Sequence, residues 1–444
     1  MSSPDVVIVG AGLAGLTAAA LLAQEGLEVA LIEQEQDVGG KLRILEREGF
    51  RLDGGLHCFH YGDAGPLGEL DRLLGLGISY LESPNASYIL RGKNRLPVPP
   101  ESGTDPHDVP GFTAAEAQKI RDWFSRLMEA DASEWDKKSV AEFLAASGFS
   151  DDELIASYAA AQCLTVLGRN ISEVSAGLII AHSKAVGHPG FHVSVIAGGT
   201  GKLVAALTEK ISRDHVRTLL GNKVVEIKVE AKGVAQVISS SEEFSPAAVI
   251  YTAPAQYIPE QLTGDKAAAS LARKCKRLTP IAGIALEFGL ASRISEIRGV
   301  MIDPEEAVIG RFPSNLDPSL APEGRQIASW LALVSPEDLA EVKEAGSHIK
   351  RLRRVALKQF PEMEEQVKFE RLRAIHIISA AAPLPTQSLE KRPGVAVKQI
   401  KNLFLAGDGA SGKGLLSGLA VSSAMEAVER VKKFLAKNQE EPTE

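Results

Sequence analysis

The run Val6-Val7-Ile8-Val9-Gly10-Ala11-Gly12-Leu13-Ala14-Gly15 constrains the fold more than any other part of the chain. Its β-branched residues read as a buried strand that breaks into a tight turn at Gly10. Gly12 has no Cβ, so the backbone there can approach a pyrophosphate, and Gly15 lets the following helix pack on the strand. Residues 16–24 are rich in Ala and Leu and form a helix, Gly26 ends it, and residues 27–32 read as a second strand. Glu33 follows 18 positions after Gly15, where a carboxylate accepts hydrogen bonds from ribose hydroxyls. A glycine triad alone is a weak signal. With strand, helix and acid in this order, it specifies an α/β, doubly wound fold that seats an adenine dinucleotide on the amides of a helix N-terminus.

The 444 residues exceed one ordinary domain and suggest two. A net charge of −8, spread along the chain, argues against a nucleic-acid partner. Cys58, Cys163 and Cys275 are too scattered for a disulfide framework, and no CxxC spacing supports zinc or a dithiol relay, so no metal site is expected. The N-terminus lacks the basic start of a signal peptide, and no window of about 18 apolar residues suggests a spanning helix. The expectation is a cytoplasmic protein.

Farther along, Gly39-Gly40-Lys41 and Asp53-Gly54-Gly55 mark turns with exposed amides. Residues 112–128 read as an amphipathic helix, with Ile120, Trp123, Phe124, Leu127 and Met128 in one stripe. That stripe reads as core first, and as a lid or peripheral membrane contact second. Helical patterning continues over 138–185. Gly198-Gly199 opens a helix to 211, and strands follow at 216–220, 224–229, 234–239 and 248–252. The clearest later strands are 281–288 and 327–334. Residues 402–409 form a buried strand ending in Gly407-Asp408-Gly409, a helix spans about 416–434, and the charged tail 437–444 is expected to be disordered.

Both ends of the chain therefore carry a strand, a Gly-rich turn and a helix, so both can hold one extended ligand. Asp408 can accept from a ribityl hydroxyl or meet a pyrophosphate. The first helical turn at Leu415, Leu416 and Ser417 can aim its amides and positive dipole end at an electron-accepting ring. Residues 407–413 come close to a nucleotide phosphate loop, but Gly414 stands where a metal-binding Ser or Thr is required. His57 and His60 follow Asp53-Gly54-Gly55 and are the candidates for proton handling or substrate orientation; a histidine satisfied within a tight turn is the plainer reading. A covalent link from Cys58 to a bound ligand has little support.

In their order, Gly10 to Gly15, Glu33, Gly39-Gly40-Lys41, Asp53-Gly54-Gly55, Gly198-Gly199 with Leu203, and Ala406-Gly407-Asp408 resemble the FAD motifs of the flavin amine oxidase, protoporphyrinogen oxidase and phytoene desaturase superfamily. Residues 315–324 and the run from Arg392-Pro393 to Asp408 are similar to the phytoene desaturase branch. The resemblance implies a discontinuous Rossmann-like FAD-binding domain (1–90, 195–260 and 395–444) and a mixed α+β substrate domain (91–194 and 261–394). It implies that Leu13 and Ala14 meet the pyrophosphate, that Glu33 holds the adenosine ribose, and that Val224 contacts adenine through its backbone. Gly40 and Lys41 would lie near the phosphates, where many relatives have Arg. Gly54, Gly55, Leu56 and His57 would run past the flavin.

The resulting expectation is an FAD-dependent oxidoreductase that moves hydride from a C–H bond of an apolar, carotenoid- or isoprenoid-like substrate to flavin N5. With a single dinucleotide fingerprint, electrons would leave to an unidentified acceptor such as oxygen or a quinone. An amine oxidase is the runner-up, although Phe404 is the only aromatic residue between Ala374 and Val431, which leaves little for an aromatic cage. Protoporphyrinogen-type oxidation and a redox-neutral isomerase stay open. So does a non-enzyme, the prenyl-binding chaperone of the Rab GDP-dissociation inhibitor type, against which Glu33 and Gly407-Asp408 weigh.

Overall fold

The computed structural model describes residues 3–54, 57–83, 87–98, 106–188, 190–211, 215–231 and 233–440. The opening run forms strand Val6–Val9, helix Leu13–Gln24 and strand Val29–Ile32. Every residue of both strands is buried, as expected of a parallel sheet covered on both faces. Five parallel strands make that sheet, in the order Val216–Leu219, Val29–Ile32, Val6–Val9, Ala248–Tyr251 and Leu403–Leu405. Successive strands add in one direction from Val6–Val9 and then in the other, which opens a crevice at the carboxyl ends, beside Gly10 and Thr252.

Helices Leu13–Gln24, Gly201–Ile211 and Ser417–Glu440 cover one face through Leu16, Leu22, Leu203, Leu207, Val421 and Val428. The other face packs on the sheet of Val224–Glu230, Gly233–Ser239, Glu243–Phe244 and Leu262–Gly264 through Ile227, Val237 and Phe244. The fold is Rossmann-like in this half and mixed α+β in the other.

The second half is built on a seven-stranded sheet: Val367–Ser379, Ile281–Leu290, Gln326–Val334, Val308–Arg311, Met301–Asp303, Tyr88–Arg91 and Asn94–Pro97. Ala285, Ile309 and Leu331 on one face join the apolar cluster of helices Ala114–Glu129, Glu153–Thr165 and Ala176–Val186. Ile284 and Trp330 on the opposite face pack against helix Val342–Gln359. Trp123 is fully buried and its indole donates to Gln162 at 3.0 Å, so that end of the aromatic stripe is core.

Three local readings change. The helix expected from 112 starts at Ala114 because Thr113 and Glu116 form a capping box. The tail expected to be disordered from Lys437 continues the last helix to Glu440; Lys432 pairs with Glu25 at 2.6 Å and Phe434 packs on the core, and extending an anchored helix costs little. The thirteen-residue strand Val367–Ser379 is absent from the sequence reading. Charged residues interrupt its apolar pattern, and two of them, Arg371 and Arg373, donate to the main-chain oxygens of Leu52 and Gly54.

Candidate functional site

At the crevice, Gly10 adopts φ +99°, and its amide donates to Ile32 O at 2.8 Å. A Cβ on Gly15 would lie 1.8 Å from Gly10 O, so only glycine lets the helix sit this close to the strand. A Cβ on Gly12 would meet nothing within 4 Å: the backbone faces open space there. The first helical amides beyond it, Leu13 and Ala14, have no intrahelical acceptor. A Cβ on Gly40 would approach Gly12 Cα at 3.1 Å, so the Gly39-Gly40 turn lies against the same cradle.

Glu33 is 8% exposed, and its carboxylate accepts from the amides of Ala11 (2.7 Å) and Glu35 (3.0 Å). These bonds fix it beside the glycine turn and leave further lone pairs for other donors. The next loop is tied to it, since the amide of Asn222 donates to Glu33 O at 2.8 Å. Val224 opens the next strand, buried, its carbonyl accepting from Gln261 Nε2 at 2.8 Å.

Lys41 reaches the other end of the chain. Its Nζ donates to Asp408 Oδ2 at 2.9 Å and to Ile378 O at 2.7 Å. Gly407 N–H donates to Ser423 Oγ at 2.9 Å, and Arg392 donates to Asp408 O at 3.0 Å. Leu416 takes φ +52° as the chain turns into the last helix, and Leu415 packs against the apolar cluster of the second half. Ser417 Oγ donates to Cys58 O at 2.9 Å, which joins this helix start to the segment after Asp53.

That segment is held tightly. Asp53 Oδ1 accepts from the amide and hydroxyl of Thr200 at 3.1 and 2.9 Å. Gly55 and Leu56 lie outside the described residues. His57 Nε2 contacts Asp53 O at 3.3 Å, and desolvation outweighs the nearby Asp53 to lower its pKa from 6.5 to about 4. His60 lies 5.7 Å from His182 and 5.4 Å from Phe191, ring to ring. Burial lowers its pKa as well, and His182 falls to about 4 through burial and then through His60. Cys58 is pushed up by burial and stays a thiol.

Four groups missed in the sequence face this segment from the seven-stranded sheet. Gly54 N–H donates to Glu287 Oε1 at 3.1 Å, while Arg373 donates to Gly54 O at 3.3 Å. Arg371 donates to Leu52 O and to Glu287 Oε2, both at 3.1 Å, and Arg311 donates to His57 O at 3.3 Å. One signal was available: Glu287 is a lone acid in the apolar run of Ile281–Leu290. Nothing local marks Arg311.

The profile of flavin containing amine oxidoreductases matches residues 13–432. This chain belongs to that family. Proteins with short similar segments include the carotenoid 3,4-desaturase of Haloarcula japonica, 46% identical over 55 residues, 12% of this chain and 11% of that protein. The human all-trans-retinol 13,14-reductase is 35% identical over 94 residues, 20% of this chain and 15% of the relative. These matches span well under a fifth of either relative's length. In fold, the chain is similar to an oxidoreductase from Methanosarcina mazei, with TM-score 0.78, 21% identity and coverage of 96% of this chain and 99% of that one. Phe404, the lone aromatic residue of the C-terminal stretch, is 4% exposed in the first core. Among the described residues no helix is long and apolar enough to cross a membrane.

Proposed function

We propose that this chain is an FAD-dependent oxidoreductase that removes hydride from a C–H bond of an apolar, carotenoid- or isoprenoid-like substrate. The observation that carries the reading is the crevice itself, where Gly12 faces open space between a buried ribose-type acceptor, Glu33, and the Lys41–Asp408 pair. The residues fit FAD. The amides of Leu13 and Ala14 would hold its pyrophosphate, Glu33 its adenosine ribose, the Val224 backbone its adenine, and the amides at Leu416 and Ser417 its pyrimidine edge. Lys41 and Asp408 would meet the phosphates and the ribityl chain as a pair. When bound, FAD supplies a two-electron, hydride-accepting ring.

The protein's own part is to orient and to exclude water. Ala285, Ile309, Leu331 and Leu333 of the seven-stranded sheet form one apolar cluster with Leu415, which leads to the helix start at Ser417. His57, at about 4, is neutral near pH 7, and hydride transfer from an apolar carbon needs positioning more than a base. Both relatives' names, a carotenoid desaturase and a retinol reductase, concern polyenes. The deep burial of Phe404 removes the one aromatic residue between Ala374 and Val431 from any amine cage.

The test is an absorbance spectrum of the purified protein followed by anaerobic mixing with isoprenoid, amine and porphyrinogen substrates. Yellow protein bleached by the isoprenoid supports the reading, and bleaching by an amine or a porphyrinogen replaces the substrate class. Protein that stays colourless after FAD is added overturns it in favour of a lipid-binding chaperone.

A further inference from the structure

Strand register places Arg371 opposite Glu287, Glu287 opposite Ser329, and Ser329 opposite Arg311. One polar row thus crosses four strands of an otherwise apolar sheet face, with Ala285 and Leu331 in the row beside it. The row does not merely pair with itself. Together with Arg373, it makes four hydrogen bonds to main-chain atoms of Leu52, Gly54 and His57. The far side of the same segment meets the last helix, through Cys58 O and Ser417 Oγ.

Stability does not account for the row. Glu287 is 2% exposed, and replacing a buried ion pair by apolar residues of similar volume is often neutral or stabilising. Three guanidiniums (Arg311, Arg371, Arg373) face two carboxylates, Glu287 and Asp53, since both carboxylates act electrostatically on the cluster. The net charge of these five groups is positive. In a water-poor site such fixed charges act strongly on any charge that develops nearby.

We propose that Glu287 is a positioning residue that holds the backbone at Gly54 and, with Arg311, Arg371 and Arg373, sets the electrostatic potential at the flavin. This rests on the FAD reading above. The carboxylate grips the segment through Gly54 N–H and offsets one guanidinium. The remaining positive charge favours the reduced, anionic form of a flavin ring seated beside this segment.

The experiment is a spectroelectrochemical titration of FAD-loaded wild type, Glu287→Gln and Arg373→Gln, with FAD dissociation constants measured in parallel. Glu287→Gln removes a negative charge and is expected to raise the midpoint potential, whereas Arg373→Gln removes a positive charge and is expected to lower it. A merely structural role would weaken FAD binding in either variant without shifts of opposite sign. Yellow variants with the wild-type potential overturn the proposal and leave the FAD reading standing. A wild type that binds no FAD overturns both. Should Glu287→Gln fail to fold, Arg373→Gln decides alone, since its side chain is less buried: a lowered potential supports the proposal and an unmoved one rejects it.

Discussion

Lys41 and Asp408, 367 positions apart, form an ion pair of 2.9 Å that joins the first Gly-rich region of the chain to the last. Their side chains are 45% and 20% exposed, so the pair contributes little to folding, of the order of 1 kcal/mol or less. On the FAD reading proposed above, its value lies in bringing two turns to one ligand. Asp408→Ala is expected to raise the FAD dissociation constant about tenfold, roughly one lost hydrogen bond, while the apoprotein melts within a few degrees of wild type. Fluorescence titration with FAD checks this, and unchanged affinity would reduce Asp408 to a turn residue.

Glu33 should matter more. Glu33→Ala removes an acceptor already oriented by two amides, Ala11 and Glu35. Hydrogen bonds to a charged group contribute about 1.5–3 kcal/mol, so FAD affinity should fall roughly ten- to a hundredfold. The flavin-to-protein absorbance ratio after gel filtration reads this directly; full occupancy would reject the ribose role.

Two glycines three positions apart should behave oppositely. Gly12→Ala places its methyl in open space, so the protein should fold and melt normally yet lose FAD binding. Gly15→Ala drives a methyl to 1.8 Å from Gly10 O and should destabilise by about 1–3 kcal/mol or more. Thermal melts of both apoproteins, set beside FAD titrations, separate the two effects.

Acid should weaken the fold through its buried histidines. His57 and His182 titrate at about 4 when folded and at 6.5 otherwise, so the unfolded chain binds more protons between those values. Stability therefore falls as pH drops through that window, by up to about 1.4 kcal/mol per unit for each such histidine. Melting temperatures from pH 7 to pH 4 should show the loss, and His182→Asn should flatten it. An equally steep profile in that variant would place the acid sensitivity elsewhere.

Kinetics can separate proton handling from turn building at His57. The ring is tied to Asp53 O and neutral near pH 7, so His57→Gln should leave the flavin reduction rate within a few-fold of wild type. A loss of a hundredfold or more in stopped-flow reduction would instead make His57 an acid–base group.

The dinucleotide half was legible because its constraints are local. Gly10, Gly12 and Gly15 each answer a backbone demand within a few residues, and Glu33 follows at a set distance. Lys41 was placed near the phosphates by resemblance, but its partner Asp408 could not be read, because a salt bridge across the whole chain leaves no mark at either position. The wall of Glu287, Arg311, Arg371 and Arg373 was missed for the same reason. Its row exists only after four strands come into register, and two of its charges broke the very alternation that would have revealed the Val367–Ser379 strand.

The position of the Leu403–Leu405 strand at the border of its sheet has a consequence for biosynthesis. A ribosome releases the Gly10 turn long before Asp408 and Ser417, and of the five parallel strands the border strand they follow is the last to emerge. A nascent chain can therefore fold four of the five parallel strands with its crevice still open on one side. Cofactor capture should follow the emergence of Asp408 and Ser417, and a stop before residue 403 should yield a product that never turns yellow.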